Sequence, residues 1–414
     1  MTSTIAWLDV SAEEQRRARE FLALFTQAES RDELGLGQIR DTFSNTLFPG
    51  ISVIQTRARY FLYVPWLYLD GQRRGKSGEE LERWVATRER RLIEVLRTAG
   101  TAAGDINGLI GAVAGERLKI LPSSIYWNGL TTFGILRRDV IAAHLGADRV
   151  RRASSESDEL AERETSLWSP SIPQPPDGFP EQVDTAFALR PAEAQWLVER
   201  IKQSGATRDS LLAQIVSGRA RTADDSFGPW DDPTGQVGDP RLRSQLHHAE
   251  LFSLGMHGAA LLYNLLVAER YADRGYDRVA NAVDVYRTHV DDWSTECMGA
   301  HQRLAEWDRS AMWSLVLGVN SRIGQQTIDF VESWLRIAAS SEVSGAASNE
   351  VLRDLVRRRE LRRGMQSRLQ NDKLLANWAG ESGAGRLNYR WGTVRRLARD
   401  IHGALGDEGS RAGA

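Results

Sequence analysis

The sequence predicts a mainly α protein, two helical domains joined by a proline-rich connector, with the C-terminal half a helical bundle. Three observations predict it. Apolar residues recur at three- and four-residue spacing over most of the 414 positions, strand-type alternation is scarce, and "WSPSIPQPPDGFP" at 168–180 holds five of the twelve prolines. Proline fixes φ and supplies no donor, so that stretch predicts a stiff, extended segment. The expected layout is a helical domain over 1–165, a connector over 166–186, a second helical domain over 187–405 and a disordered tail over 406–414.

The elements follow in chain order. Ser11 and Glu14 form a capping box ahead of "AEEQRRAREFLALFTQAE", in which Ala18, Phe21, Leu22 and Phe25 share a face. "LGLGQIRDTFSNTLFPG" predicts a short helix ended by Pro49 and Gly50. The stretch "SVIQTRARYFLYVPWLYLDG" at 52–71 is apolar or aromatic from Tyr60 to Leu69 except for Pro65, and it predicts a buried, kinked helix, because a central strand does not accommodate the proline. At least one of Arg57 and Arg59 at its start is expected to pair with an acid such as Asp32, Glu33 or Asp41, since a buried guanidinium without a partner is costly. Ser77 and Glu80 open the next helix, closed by Gly100. The pattern resumes in "SSIYWNGLTTFGILRRDVIAAHLG", gives way to charged, Ser-rich residues 150–166, and returns after the connector in "PAEAQWLVERIKQSG". Long helices are then expected over 240–273, 278–310, 324–340 and 347–370.

Hydrophobic residues make up 42% and charged residues 26%, an ordinary balance for a soluble globular protein. The single cysteine, Cys297, has no partner for a disulfide, and "MTSTIAWLDVSAEEQRR" lacks a basic region followed by an apolar one, so a cytoplasmic location is expected. The run "LFSLGMHGAALLYNLLVA" at 251–268 contains His257, Asn264 and two glycines and is read as a buried core helix, with no membrane partner.

Standard catalytic motifs are missing: there is no P-loop, no G-x-S-x-G elbow and no H-E-x-x-H helix. The densest histidine region, "RLRSQLHHAELFSLGMHGAALLYN", spaces His247, Glu250 and His257 along one helical side. A second helix carries His289, Asp292, Glu296 and His301, so a metal site is a weak candidate there, and no cofactor is otherwise expected. The bland alternative is polar packing between helices.

Charge is uneven. Residues 351–399 hold thirteen Lys or Arg against four Asp or Glu, a net +9 that leaves −11 elsewhere in a chain of net charge −2. Arg353, Arg357, Arg358, Arg362 and Arg363 cluster along one expected helix. Farther on, Arg386, Arg390, Arg395, Arg396 and Arg399 interleave with Tyr389 and Trp391. Guanidinium groups hold phosphates bidentately and aromatic faces stack on unpaired bases, so Arg357, Arg358, Arg362, Arg363, Arg390, Arg395 and Arg396 are expected phosphate contacts, with Tyr389 and Trp391 as stacking groups. Against this stands structural pairing with the acidic remainder.

The segments "DELGLGQIRDTFSNTLFPGISVIQTRARYFLYVPWLY", "LPSSIYWNGLTTFGIL", "QLHHAELFSLGMHGAALLYN" and "GRLNYRWGTVRRL", with the proline connector, resemble an uncharacterised bacterial domain-of-unknown-function family encoded near helicases and phospholipase D-like nucleases in phage-defence gene clusters. The resemblance covers nearly the whole chain. It implies a nucleic-acid-related setting, with a helicase or phospholipase D-like nuclease as candidate partner, and it carries over no catalytic residue.

The expected function is that of an accessory protein of a bacterial phage-defence or DNA-processing system, binding nucleic acid, DNA before RNA, or a nucleic-acid-handling partner through the basic C-terminal region. Two alternatives stay open: a metal-dependent hydrolase or nuclease using the His/Glu cluster, and a scaffold without nucleic-acid contact.

Overall fold

The computed structural model describes residues 33–137 and 168–411, with side chains described to residue 406. The expected helix after Ser11 and the charged stretch 150–166 lie outside the described residues. Fourteen α-helices and no β-strand occur among the described residues, the one bridge being Leu136 with Trp168. The helices are α1 (Gly37–Leu47), α2 (Tyr60–Arg73), α3 (Gly78–Ala103), α4 (Pro122–Thr132), α5 (Pro191–Gln203), α6 (Leu211–Ser217) and α7 (Pro240–Asp273). They continue as α8 (Ala282–Gly299), α9 (His301–Ala305), α10 (Arg309–Val319), α11 (Gln325–Ala338), α12 (Glu350–Leu361), α13 (Asp372–Ala376) and α14 (Trp391–Arg411). The expected mainly α class is thus found.

The apolar pattern becomes packing directly. Ile39, Phe43 and Leu47 stand four apart on α1 and are all fully buried. In α2 every residue from Tyr60 to Tyr68 is buried, Pro65 included, as expected of a helix enclosed on all sides. The apolar face of α3, Leu81, Val85, Leu92 and Leu96, is interrupted by buried Glu89. That carboxylate accepts hydrogen bonds from the Ser123 backbone N–H at 2.6 Å and the Ser123 hydroxyl at 2.9 Å, so α3 caps the start of α4. The end of α3 falls later than expected, at Gly104 with φ 68°, because Gly104 and not Gly100 takes the left-handed turn.

The centre is α7, 34 residues or about 51 Å long. Asp239 caps it and Pro240 occupies its first turn. It is covered by α8, α12, α11, α1 and α10. Gly258 is required there: a Cβ would lie 2.3 Å from the Trp293 ring, whose indole N–H donates to the Leu254 carbonyl at 2.8 Å. Among the described helices α7 alone is long and apolar enough to cross a membrane, yet its apolar window is 89% buried inside the protein.

Four boundary expectations change. The helix expected over 278–310 breaks at Gly299 and Ala300 into α8 and α9, and the one expected over 347–370 ends at Leu361, followed by a short 3-10 turn over Gly364–Gln366. The tail expected to be disordered is helical as far as Arg411. The two expected domains share one hydrophobic cluster, which runs from Leu34 to Ala404. The proline-rich segment lies along α2 and does not separate two cores: the Trp66 indole N–H donates to the Pro173 carbonyl at 2.7 Å, and the Tyr63 hydroxyl to the Ala186 carbonyl at 2.6 Å.

Candidate nucleic-acid interface

Helix α12 begins at Asn349, whose side chain accepts from the Val351 and Leu352 N–H groups. Leu352, Val356 and Glu360, four apart, face inward. The arginines on this helix and just past its end part into two groups. Arg353 pairs with Glu269 of α7 and donates to the Ala347 carbonyl at 2.8 Å. Arg359 donates to the Leu34 carbonyl at 2.7 Å and the Thr327 hydroxyl at 2.8 Å and lies over the Phe330 ring, while Arg363 reaches back to Glu33 and Glu360. Those three tie helices together. The outward group comprises Arg357, Arg358 and Arg362. Arg357 and Arg358 share one acid, Asp354, at 2.5 and 3.3 Å, and Arg362 donates to the neutral Gln326 side chain at 3.2 Å. The Arg358 side chain is 76% exposed.

The second basic run turns inward. Tyr389 and Arg390 have φ of 52° and 70°, two left-handed residues in succession that swing the chain into α14. The Tyr389 ring packs near Phe43 and Trp230, with centroids 5.4 and 6.1 Å away, and its hydroxyl donates to the Ala249 carbonyl at 2.9 Å. Trp391 is buried against Phe48, and its N–H donates to the Ser226 hydroxyl at 3.0 Å. Neither ring offers a face to a base, which corrects their expected stacking role. Arg390 donates to Asn45 at 2.8 Å and the Ile51 carbonyl at 2.7 Å, Arg395 to the Ser226 carbonyl at 2.9 Å, and Arg399 pairs with Asp224 at 2.6 Å. Arg363, Arg390 and Arg395 are therefore internal ties where phosphate contacts were expected. Arg396 is exposed.

The metal candidates do not converge. His247 faces solvent, Glu250 pairs with Arg303 at 2.6 Å, and the His257 Nε2–H donates to the Ala384 carbonyl at 3.1 Å. Burial pushes His257 down to about 4, so it is a neutral packing group. On α8, Glu296 is held at 2.7 Å by Arg386, whose guanidinium also lies over Phe227. The cation among these acids is thus a side chain of the protein. His289, Asp292 and His301 are exposed, and among the described residues no group of three or more His, Cys, Asp or Glu is placed to hold a metal ion.

The arginines of residues 52–71 are also committed, to partners other than those expected. Arg57 pairs with Asp105 at 2.7 Å and Asp400 at 3.0 Å, and Arg59, fully buried, with Asp184 at 3.1 Å and Glu193 at 3.2 Å. Asp32 lies outside the described residues, Glu33 meets Arg363 and Arg368, and Asp41 pairs with Arg40.

A model described as a family of unknown function, DUF6361, matches residues 2–408. The chain belongs to that family. No curated protein and no solved structure matches it.

Chemistry at His248 and Cys297 in this DUF6361 member is closed off by geometry. Ser244 and His248 lie 3.3 Å apart, but the Trp307 indole, a donor only, points at His248 Nδ1 at 2.9 Å. The imidazole proton is therefore on Nε2, facing Ser244, and His248 is no base for that hydroxyl. Burial pushes the Cys297 thiol up to about 12, which leaves it a small apolar group. A small cavity beside Tyr60, Tyr63 and Glu89 holds about 10 Å³, too little for a substrate. Of the arginines expected to contact phosphate, those the fold leaves outward are Arg357, Arg358 and Arg362 at α12, and Arg396 on α14.

Proposed function

We propose that this DUF6361 protein is an accessory protein that binds the phosphate backbone of duplex DNA through Arg357, Arg358 and Arg362. The observation that carries this reading is the split among the arginines of α12 and the two that follow it: the inward ones are held by Glu269, Leu34, Thr327, Glu33 and Glu360, while of the outward three Arg357 and Arg358 share one acid, Asp354, and Arg362 meets the neutral Gln326. With Tyr389 and Trp391 buried, contact with phosphates is favoured over stacking on unpaired bases. The setting that suits such a protein is the bacterial cytoplasm, beside a helicase or phospholipase D-like nuclease of a phage-defence cluster, with DNA preferred to RNA. The test is fluorescence anisotropy with labelled duplex over a salt series. Three phosphate contacts predict a log–log salt slope of about −2.7. Arg358→Glu with Arg362→Glu is expected to abolish binding, and binding that ignores salt would count against the reading.

A second reading, a scaffold that docks a protein partner, is favoured by α10. That helix buries only Met312 and Val316, leaves Trp313, Leu315 and Leu317 partly covered, and has Val319 58% exposed. Absence of duplex binding at low salt, together with co-purification of a neighbouring-gene product that Leu317→Asp removes, would favour it.

A further inference from the structure

We propose that Glu360 is a proton-operated switch that sets the charge at the C-terminal end of α12, and so tunes the polyanion contact made by Arg358 and Arg362. The polyanion half of this inference rests on the function proposed above. The geometry is a buried ionic cluster that draws on four parts of the fold. Glu360, on the inner face of α12, has no exposed surface. Its nearest cation, Arg363 at 3.4 Å, is shared with buried Glu33 at the start of the described chain. Glu33 is also held by the Arg368 guanidinium and accepts from the Ser382 hydroxyl at 2.7 Å. Arg368 donates from its side chain to the Tyr263 hydroxyl of α7 at 3.0 Å and from its backbone N–H to Glu360 at 2.9 Å.

Two carboxylates therefore face two guanidinium groups, and Glu360 is the member without a cation of its own. Protonating Glu360 raises the charge of this group by one. Burial pushes the Glu360 carboxyl up to about 7, and the hydrogen bonds from Arg368 and Ser367 and the Arg368 charge only partly oppose it. The acids of α11 next to Phe330 are engaged elsewhere: Asp329 accepts from Gln325 at 2.8 Å, and Glu332 pairs with Arg309 at 3.1 Å. Arg363 adjoins Arg362 in sequence and is partly open to solvent, so the added charge arises next to the outward arginines. A bound polyanion favours the protonated form, and by linkage a lower pH favours the polyanion.

Two measurements test it. The Glu360 side-chain carboxyl is followed by carbon NMR from pH 5 to 8.5 in the free protein, its signal assigned by loss in Glu360→Gln. Duplex affinity is compared at pH 6 and pH 8 for both proteins. The expected result is a midpoint near neutrality and affinity about threefold higher at pH 6 in the wild type, with a flatter response in Glu360→Gln. A midpoint below about 5.5, or the same pH response in both proteins, overturns the switch. Titration near neutrality without duplex binding at either pH overturns the polyanion reading and leaves the proton switch standing.

Discussion

Arg57 and Asp400, 343 positions apart, meet face to face: Arg57 Nε donates to the two Asp400 carboxylate oxygens at 3.1 and 3.0 Å. The same carboxylate accepts from the Ala58 N–H at 2.8 Å, and the guanidinium also holds Asp105. One buried contact thus fastens the entry to α2, the end of α3 and the body of α14. Asp400→Asn removes the charge and keeps the shape, leaving Arg57 with the more exposed Asp105 alone. A loss of about 3 kcal/mol is expected in a denaturant titration. A change below about 1 kcal/mol would mean that Asp105 suffices.

Glu360 gives a pH dependence of stability with a definite sign. Its folded carboxyl keeps a proton to about 7, above the ordinary value of 4.5, so the folded chain binds more protons than the unfolded one between those values. This contribution is full below the ordinary value and is lost as pH rises through about 7. Relative to Glu360→Gln, which imitates the protonated form, wild-type stability should fall by on the order of 2 kcal/mol between pH 5 and pH 8. Parallel curves for the two proteins in urea titrations would contradict this.

What the sequence disclosed and what it concealed divide along physical lines. Helix α7 is legible in full, because Asp239 and Pro240 mark its start and a long, mostly apolar run without charges marks its body. The break at Gly299 and Ala300 is hidden, since apolar spacing continues on both sides of it. Arginine content showed a basic end, but the acids that neutralise Arg57 and Arg363 come from Asp400 and Glu33, more than 300 residues away in the chain. No local pattern encodes such a pairing. Tyr389 and Arg390 adopt a backbone turn usual for glycine, so nothing in "LNYRW" itself signals that the Tyr389 ring enters the core. A signal was available in the spacing of Trp391, Val394, Leu397, Ala398 and Ile401, which places Trp391 on the buried face of α14.

The contact between α7 and α8 depends on Gly258. Gly258→Ala inserts a methyl 2.3 Å from a fully packed indole that is also anchored by its N–H. A destabilisation of about 2 to 3 kcal/mol is expected, and a second change, Trp293→Phe, should return part of it by vacating the space. Additive losses in the double variant would show that the two side chains do not compete.

Trp391 and Arg396 separate core from surface within the first two turns of α14. Trp391→Ala should cost about 3 to 5 kcal/mol, because it removes a buried ring and leaves the Ser226 hydroxyl without its indole donor. Arg396→Ala, at an exposed position, should change stability by less than about 0.5 kcal/mol. If Trp391 were instead a stacking platform, its replacement by Leu would spare the fold and weaken binding to single-stranded oligonucleotides. The buried ring demands the reverse, a lower unfolding midpoint with oligonucleotide affinity unchanged among molecules still folded. Thermal unfolding and anisotropy on the same Trp391→Leu preparation distinguish the two.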